Sequence, residues 1–305
     1  VRILLARGVA QADVPIRIDD QTWTFHGHAY RGMFSLLQGT TSAFSVINVI
    51  AFEEYLYGVV GSEIPTSWPL AALEAQAIVA RTFAGGKRIN GRAYDLVCSE
   101  IDQAYNGRDS ENAVSIAAVQ ATSGTYVTFG DRAAQVFFMA CCGGHTMDAG
   151  EVWGGATLPY LRGVSDPHCT AAPDYRWERV VPLATLQAAL GGRSAALGDL
   201  ADVRISITDP AGRAQRIILV GGQGTLELTP SDLRSTLGAQ YIRSSMLRSL
   251  EVSGEGTRVL RIEGEGRGHG VGMCQWGARQ MALDGASARD ILAFYFPGTA
   301  LGAHG

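Results

Sequence analysis

The chain has 305 residues, 47% hydrophobic and 18% charged, with a net charge of −4. That balance builds hydrophobic cores and excludes a disordered chain. Lys and Arg form no long block, so nothing attracts nucleic acid or an anionic membrane surface.

The length suits one large domain or two ordinary ones. No apolar run approaches the roughly 20 residues that span a bilayer. The sequence begins at Val1 with no methionine and no charged-then-apolar leader. We therefore expect a processed N-terminus from which a signal peptide was removed. Five cysteines, at 98, 141, 142, 169 and 274, are too few for a disulfide scaffold and form no C-x-x-C pair. One or two bridges, or a partial metal site, would account for four of them.

Taken in order, VRILLA (1–6) reads as a strand. Short β-like runs broken by glycine follow: PIRID, TWTFHGHAYRG, FSLLQG and FSVINVI. His26 and His28 lie two apart, hence on one face if this is a strand; a polar face is the plainer account and a metal pair the sharper one.

Residues 53–84 hold the most distinctive stretch. Glu63 is set in an apolar turn between Tyr55, Leu56, Tyr57, Val59, Val60 and Ile64, Pro65, Trp68, Pro69. Desolvation disfavours a charged carboxylate, so the setting predicts a raised pKa and a proton donor near neutral pH. The plain alternative is a loop glutamate at the rim of a core. A helix follows, capped by Ser67 or Trp68, with Pro69 in its first turn and Gly85-Gly86 at its end. On its alanine-rich surface, Arg81 either reaches a substrate or pairs with an acid.

A polar loop over 93–107 carries Cys98, Gln103 and Tyr105. A second helix is predicted over Glu111–Ser123, capped by Asp109 or Ser110. TYVTF and AQVFFMACC then read as a hairpin turning at Gly130-Asp131. The loop GGHTMDAGEVWGG, with His145, Thr146 and Trp153, is the kind of segment in which sites are built. Between 182 and 252, LATLQAAL and LGDL look helical, and VRISITD, GRAQRIILVG and TLELT look like strands. This stretch reads as a small structural subdomain or insertion.

The C-terminal part holds a strand, VLRIEGEG, then GRGHGVGMCQWGARQMALDG and a helix SARDILAFYFPG with a Ser287/Asp290 capping box. Its glycines allow close backbone approach, while His269, Gln275 and Trp276 project. With no strand-G-x-G-x-x-G-helix unit and no Gly-Lys-Ser/Thr, nucleotide binding is rejected. Three segments result: 1–181, 182–252 and 253–305. The fold class is α+β, with mixed, largely antiparallel sheets and a few helices.

Four motifs, spread from about residue 46 to 300, together resemble the SpoIID/LytB family of stage II sporulation protein D and amidase-enhancer relatives. They are EEYLYGVVGSEIP with ALEAQAIVARTFA; Gln103-x-Tyr105; CGGHT with VWGG and PYL; and GRGHGVGMCQWGARQMALDG with ILAFYFPGT. The resemblance implies an envelope protein, periplasmic or secreted, acting on peptidoglycan glycan from a groove between two subdomains. It implies a lytic transglycosylase with Glu63 as its one acid and base; a non-catalytic glycan-binding module or activator of a cell-wall amidase is the alternative. Trp68, Arg81, Gln103, Tyr105, His145, Thr146, Trp153, His269, Gln275 and Trp276 would hold sugars. The reaction needs no cofactor.

Some relatives carry a Cys/His zinc site just before Gln-x-Tyr. Here Cys98 is kept, but Ile101 and Asp102 precede Gln103, so the local ligand set is incomplete. Zinc would draw on Cys98, Cys142, His145 and Cys169, with Cys141 and His168 as further donors. A Cys142–Cys169 bridge with Cys98 near Cys141 is the alternative for an oxidising compartment. Cys274 reads as unpaired. No His-Glu-x-x-His supports a zinc hydrolase.

Overall fold

Alternating apolar residues in the first fifty positions produce strands β1 (Arg2–Val9), β2 (Ile16–Arg17), β3 (Trp23–Phe25), β4 (His28–Tyr30), β5 (Met33–Gln38) and β6 (Phe44–Val49). The computed structural model describes the chain apart from residues 40–41, 89–90, 100–101, 210–211, 255 and 304–305. It is α+β with largely antiparallel sheets, as expected; Ile101 lies outside the described residues. β6 pairs antiparallel with β1 and β5, and a short β7 (Leu96–Val97) joins β1 in parallel, giving the order β5-β6-β1-β7. β2, β3 and β4 form a separate small sheet. His26 occupies the β3–β4 turn at φ 48°, beside Gly27. The two histidines thus share no strand face: His26 stacks on Phe25, and His28 Nδ1 lies 2.8 Å from Asp109.

Two helices follow, α1 (Phe52–Glu63) and α2 (Leu70–Lys87). The first corrects the expectation of an apolar turn, since Glu63 ends a helix. α2 begins after Pro69, an extended N-cap without a side-chain cap bond, rather than on Ser67 or Trp68. It runs through Gly85 and Gly86, neither of which adopts the left-handed conformation that would stop it. Its small side chains let it bury residues on every face, including Leu73, Gln76, Ala77, Ala80 and Arg81. Residues 107–110 form a 3-10 turn, so the cap of α3 (Ala113–Ala121) falls to Asn112, in a reciprocal box with Ser115, and not to Asp109 or Ser110. β8 (Thr125–Phe129) turns at Gly130 into β9 (Arg132–Ala133).

The chain divides into two units, 1–137 with 281–305, and 138–280. In the second, β10 (Phe138–Met139) is followed by the short α4 (Ala149–Trp153), β11 (Arg176–Pro182) and α5 (Leu183–Leu190). β12 (Leu200–Thr208), β13 (Ala214–Gly221) and β14 (Thr225–Leu228) form an antiparallel sheet followed by α6 (Pro230–Leu237). LGDL is not helical: Gly198 turns at φ 66° and Leu200 opens β12. β15 (Leu247–Ser253) and β16 (Val259–Glu265) complete the sheet β11-β16-β15, and β17 (Met273–Cys274) pairs with β10 in parallel. α7 (Gln275–Leu283) leads into α8 (Ala288–Tyr295), capped by Ser287 and Asp290 as expected. β18 (Ala300–Ala303) pairs with β8 in the first unit.

Each unit has its own core. The first centres on Tyr55, Leu56, Val59, Val60, Leu73 and Tyr105, the second on Leu186, Val203, Ile217, Leu219, Leu233 and Ile262.

The position of the loop after β7 depends on two glycines of α1. A Cβ on Gly61 would stand 1.9 Å from the Ser110 carbonyl oxygen, and one on Gly58 would stand 2.7 Å from that of Gly107. On an exposed helix Gly→Ala stabilises by up to about 1 kcal/mol. Here backbone would have to move, and overpacking of that kind costs about 1–3 kcal/mol or more. Gly61→Ala should therefore destabilise the first unit by about 2 kcal/mol in urea unfolding; a gain in stability would contradict the packing.

Candidate active site

Glu63 closes α1, half-buried, next to the fully buried Ile64. A helix C-terminus presents carbonyl oxygens, a poor setting for an anion. One oxygen is nonetheless fixed: the Ala104 N–H donates to Glu63 Oε1 at 2.6 Å. That amide is held by what surrounds it. The Tyr55 hydroxyl donates to Gln103 Oε1 at 3.0 Å, and Gln103 Nε2 donates to the Ala80 carbonyl at 3.3 Å. The Tyr105 hydroxyl donates to Asn48 Oδ1 at 3.1 Å, and Asn48 Nδ2 donates to the Arg31 and Met33 carbonyls. Tyr55 and Tyr105 pack ring to ring at 5.0 Å. A strand, two helices and a loop thus converge behind a single carboxyl group.

The electrostatics register the acid in two neighbours. Burial, and after it the charge of Glu63, push the Tyr55 phenol well above its ordinary value. Cys98 is raised as well, mainly by burial and in part by Glu63, while its thiol donates to the Tyr105 carbonyl at 2.9 Å. Both groups stay neutral near pH 7. Three other acids of the unit are tied to cations: Glu53 to Arg81, Asp102 to Lys87 and Glu111 to Arg31.

Several residues expected to touch substrate instead support the scaffold. Arg81 is fully buried and makes five hydrogen bonds, to both oxygens of Glu53, the Thr122 hydroxyl and the Val119 and Thr125 carbonyls. That engages the whole donor fork of a guanidinium. Gln103 and Tyr105 are buried and committed to the bonds above. Trp68 is half-buried against the core. Asn48 and Tyr55 are the supports that the sequence reading missed; the lone asparagine within the apolar run FSVINVI was the available signal.

In the second unit, His145 is exposed, with Nδ1 turned to the Thr146 carbonyl. Thr146 is buried and its hydroxyl accepts from the Val164 N–H at 2.7 Å. Trp153 is 50% exposed and its ring lies 5.1 Å from that of His269, an apolar platform of the kind sugars stack on. Gln275 is buried, and the half-buried Trp276 carries Arg279 over its ring at 5.2 Å.

The cysteine expectations need correction. All five cysteines are free thiols, with Cys142 Sγ 3.6 Å from Cys169 Sγ rather than bonded to it. Cys98 belongs to the first unit. Among the described residues, the group that fits a metal ion is Cys142, Asp166, Cys169 and Cys274, so Asp166 and Cys274 stand where Cys98 and His145 were expected.

His269 has a pH consequence. Its Nδ1 accepts from the Val271 N–H at 3.1 Å. Burial lowers its pKa to about 4, a hydrogen bond to the Phe138 carbonyl opposes this, and Arg234 adds to the lowering. The folded state therefore resists a proton that the unfolded chain accepts. The stabilisation is complete above the ordinary histidine value of about 6.5 and is lost as pH falls toward 4. Its full size is about 3 kcal/mol. Parent and His269→Gln should accordingly differ in the slope of urea stability between pH 7 and 5, the parent losing more; equal slopes would show that His269 is not held neutral.

Comparison with known proteins places the two parts separately. Residues 40–129 match the family described as SpoIID, stage II sporulation protein, and residues 168–272 match a domain of unknown function, DUF8618. An uncharacterized protein of Brachyspira hyodysenteriae is 32% identical over 279 residues, covering 90% of this chain and 73% of that protein. The stage II sporulation protein D of Bacillus amyloliquefaciens is 30% identical over 275 residues, 85% of this chain and 76% of the relative. The amidase enhancer of Bacillus subtilis is 27% identical over 294 residues, covering 81% of this chain but 40% of that longer protein. On the strength of these matches, the chain belongs to the stage II sporulation protein D family.

Proposed function

We propose that this protein works at the cell wall as a lytic transglycosylase, cutting peptidoglycan glycan strands, with Glu63 as general acid and then general base. The observation that supports this most is the single half-buried carboxyl group at the end of α1, oriented by the Ala104 amide and backed by the buried Tyr55–Gln103 pair. In the reaction, the Glu63 carboxyl protonates the leaving glycosidic oxygen as the C1–O bond breaks. The resulting carboxylate takes the proton from the same sugar's 6-hydroxyl, whose oxygen bonds to C1. An anhydro end forms, no water is consumed, and the acid is restored. One carboxyl group suffices, unlike the paired acids of ordinary glycosidases. Within the second unit, and apart from Glu63, the exposed Trp153 offers an aromatic face of the kind sugar rings stack on. Envelope location follows from the substrate; among the described residues no helix is long and apolar enough to cross a membrane.

The similarity to an amidase enhancer favours one further reading, a glycan-binding activator of a cell-wall amidase with Glu63 as a binding group. Incubation with stem-peptide-free glycan separates the two. The parent should release fragments with anhydro ends, and Glu63→Gln should lose about 10²–10⁴-fold in turnover with its unfolding midpoint retained. Cleavage by Glu63→Gln at the parent rate would overturn the assignment; binding without cleavage by the parent would favour the activator.

A further inference from the structure

Four cysteines from three segments far apart in sequence meet inside the second unit. Cys141 and Cys142 follow β10, Cys169 ends the 3-10 turn 167–169, and Cys274 ends β17. All four are buried, as is Asp166. The sulfurs of Cys142, Cys169 and Cys274 and a carboxylate oxygen of Asp166 all lie within 4.8 Å of one another.

That spacing selects among occupants. A tetrahedral zinc with Zn–S bonds of about 2.3 Å holds its sulfurs about 3.8 Å apart. Cys142 and Cys169 stand at 3.6 Å. A disulfide needs about 2.05 Å, and a multi-iron cluster needs its ligands spread around several atoms.

The backbone is arranged for thiolates. The Cys142 N–H and the Gly277 N–H donate to Cys274 Sγ at 3.3 and 3.4 Å, and the Gly143 N–H donates to Cys141 Sγ at 3.4 Å. A neutral thiol is a weak acceptor, and amide donors to sulfur are what a metal-bound thiolate uses. Asp166 is aimed in the same way: its Oδ1 accepts from the His168 N–H at 2.9 Å, leaving Oδ2 3.1 Å from Cys142 Sγ. The approach of the strands is tight, since a Cβ on Gly143 would stand 2.5 Å from Glu265 Cβ.

We propose that Cys142, Cys169 and Cys274, as thiolates, and the Asp166 carboxylate bind one zinc ion in a closed structural site. Cys141, next in sequence to Cys142, is buried beside it and takes the Gly143 N–H on its own sulfur. Thiolates select zinc among the common divalent ions, and binding displaces the remaining thiol protons to solvent. The ion would fasten the CGGHT segment, the 167–169 turn and the GMCQWG segment to one point. This site is independent of the proposed cleavage reaction.

The test is metal content and thiol state of the full chain, purified without chelator. Elemental analysis should find one zinc per chain, and denaturing mass spectrometry under non-reducing conditions should give the mass of five thiols. Cobalt substituted for zinc should show the charge-transfer absorption of thiolate ligands. Cys274→Ser should lose that absorption and most of the metal, whereas Cys98→Ser and Cys141→Ser should keep both. A mass four protons lighter without metal would mean two disulfides and overturn the proposal. So would five thiols that take up no zinc when it is added under reducing conditions. Loss of zinc from Cys141→Ser as complete as from Cys274→Ser would overturn the ligand assignment.

Discussion

The close approach of residues 103–110 to the glycine face of α1 is the constraint on which the first unit depends. With no Cβ at Gly58 and Gly61, the Gly107 and Ser110 carbonyls come within contact of the helix backbone. The same approach brings the Ala104 amide to Glu63, Gln103 to Tyr55, and Tyr105 to Asn48. Any side chain at Gly61 would push the loop outward and draw the amide from the acid. Packing and chemistry in this unit are therefore one problem: the acid is oriented because the helix surface is flat.

Behind that surface, the buried Arg81 and Asn48 are matched by partners. Arg81 sits inside an alanine-rich helix because Glu53 and three neighbouring oxygen acceptors engage its donors. Asn48 lies in a core strand because two carbonyls and a tyrosine hydroxyl satisfy its amide. Such networks specify one arrangement, and a half-satisfied one would be worse than an apolar core. The family match over 40–129 falls wholly within the first unit, and the match over 168–272 wholly within the second. The two family matches thus fall one in each unit of the fold.

Much of this was legible in the residues. Alternating apolar runs located β1, β5, β6, β12, β13 and β16, and the alanine-rich periodicity located α2. α1 was missed because YLYGVVG combines aromatic and β-branched residues with two glycines, all weak helix formers. Tertiary packing of that glycine face overrides the propensity. Glu63 stood out locally, as an acid among apolar neighbours. Its supports did not, because Asn48, Tyr55 and Ala104 meet it only through contacts distant in sequence. Cys274 read as unpaired for the same reason: parallel pairing of β17 with β10 brings it to Cys141 and Cys142, and no sequence spacing records that pairing.

That one carboxyl group serves both halves of the proposed reaction is tested most directly by running glycan cleavage in water enriched in heavy oxygen. If the Glu63 carboxylate takes its proton back from the sugar's own 6-hydroxyl, the new ends are anhydro sugars and carry no solvent oxygen. Reducing ends labelled with one heavy oxygen each would mean that water is the nucleophile, and would contradict the single-acid mechanism.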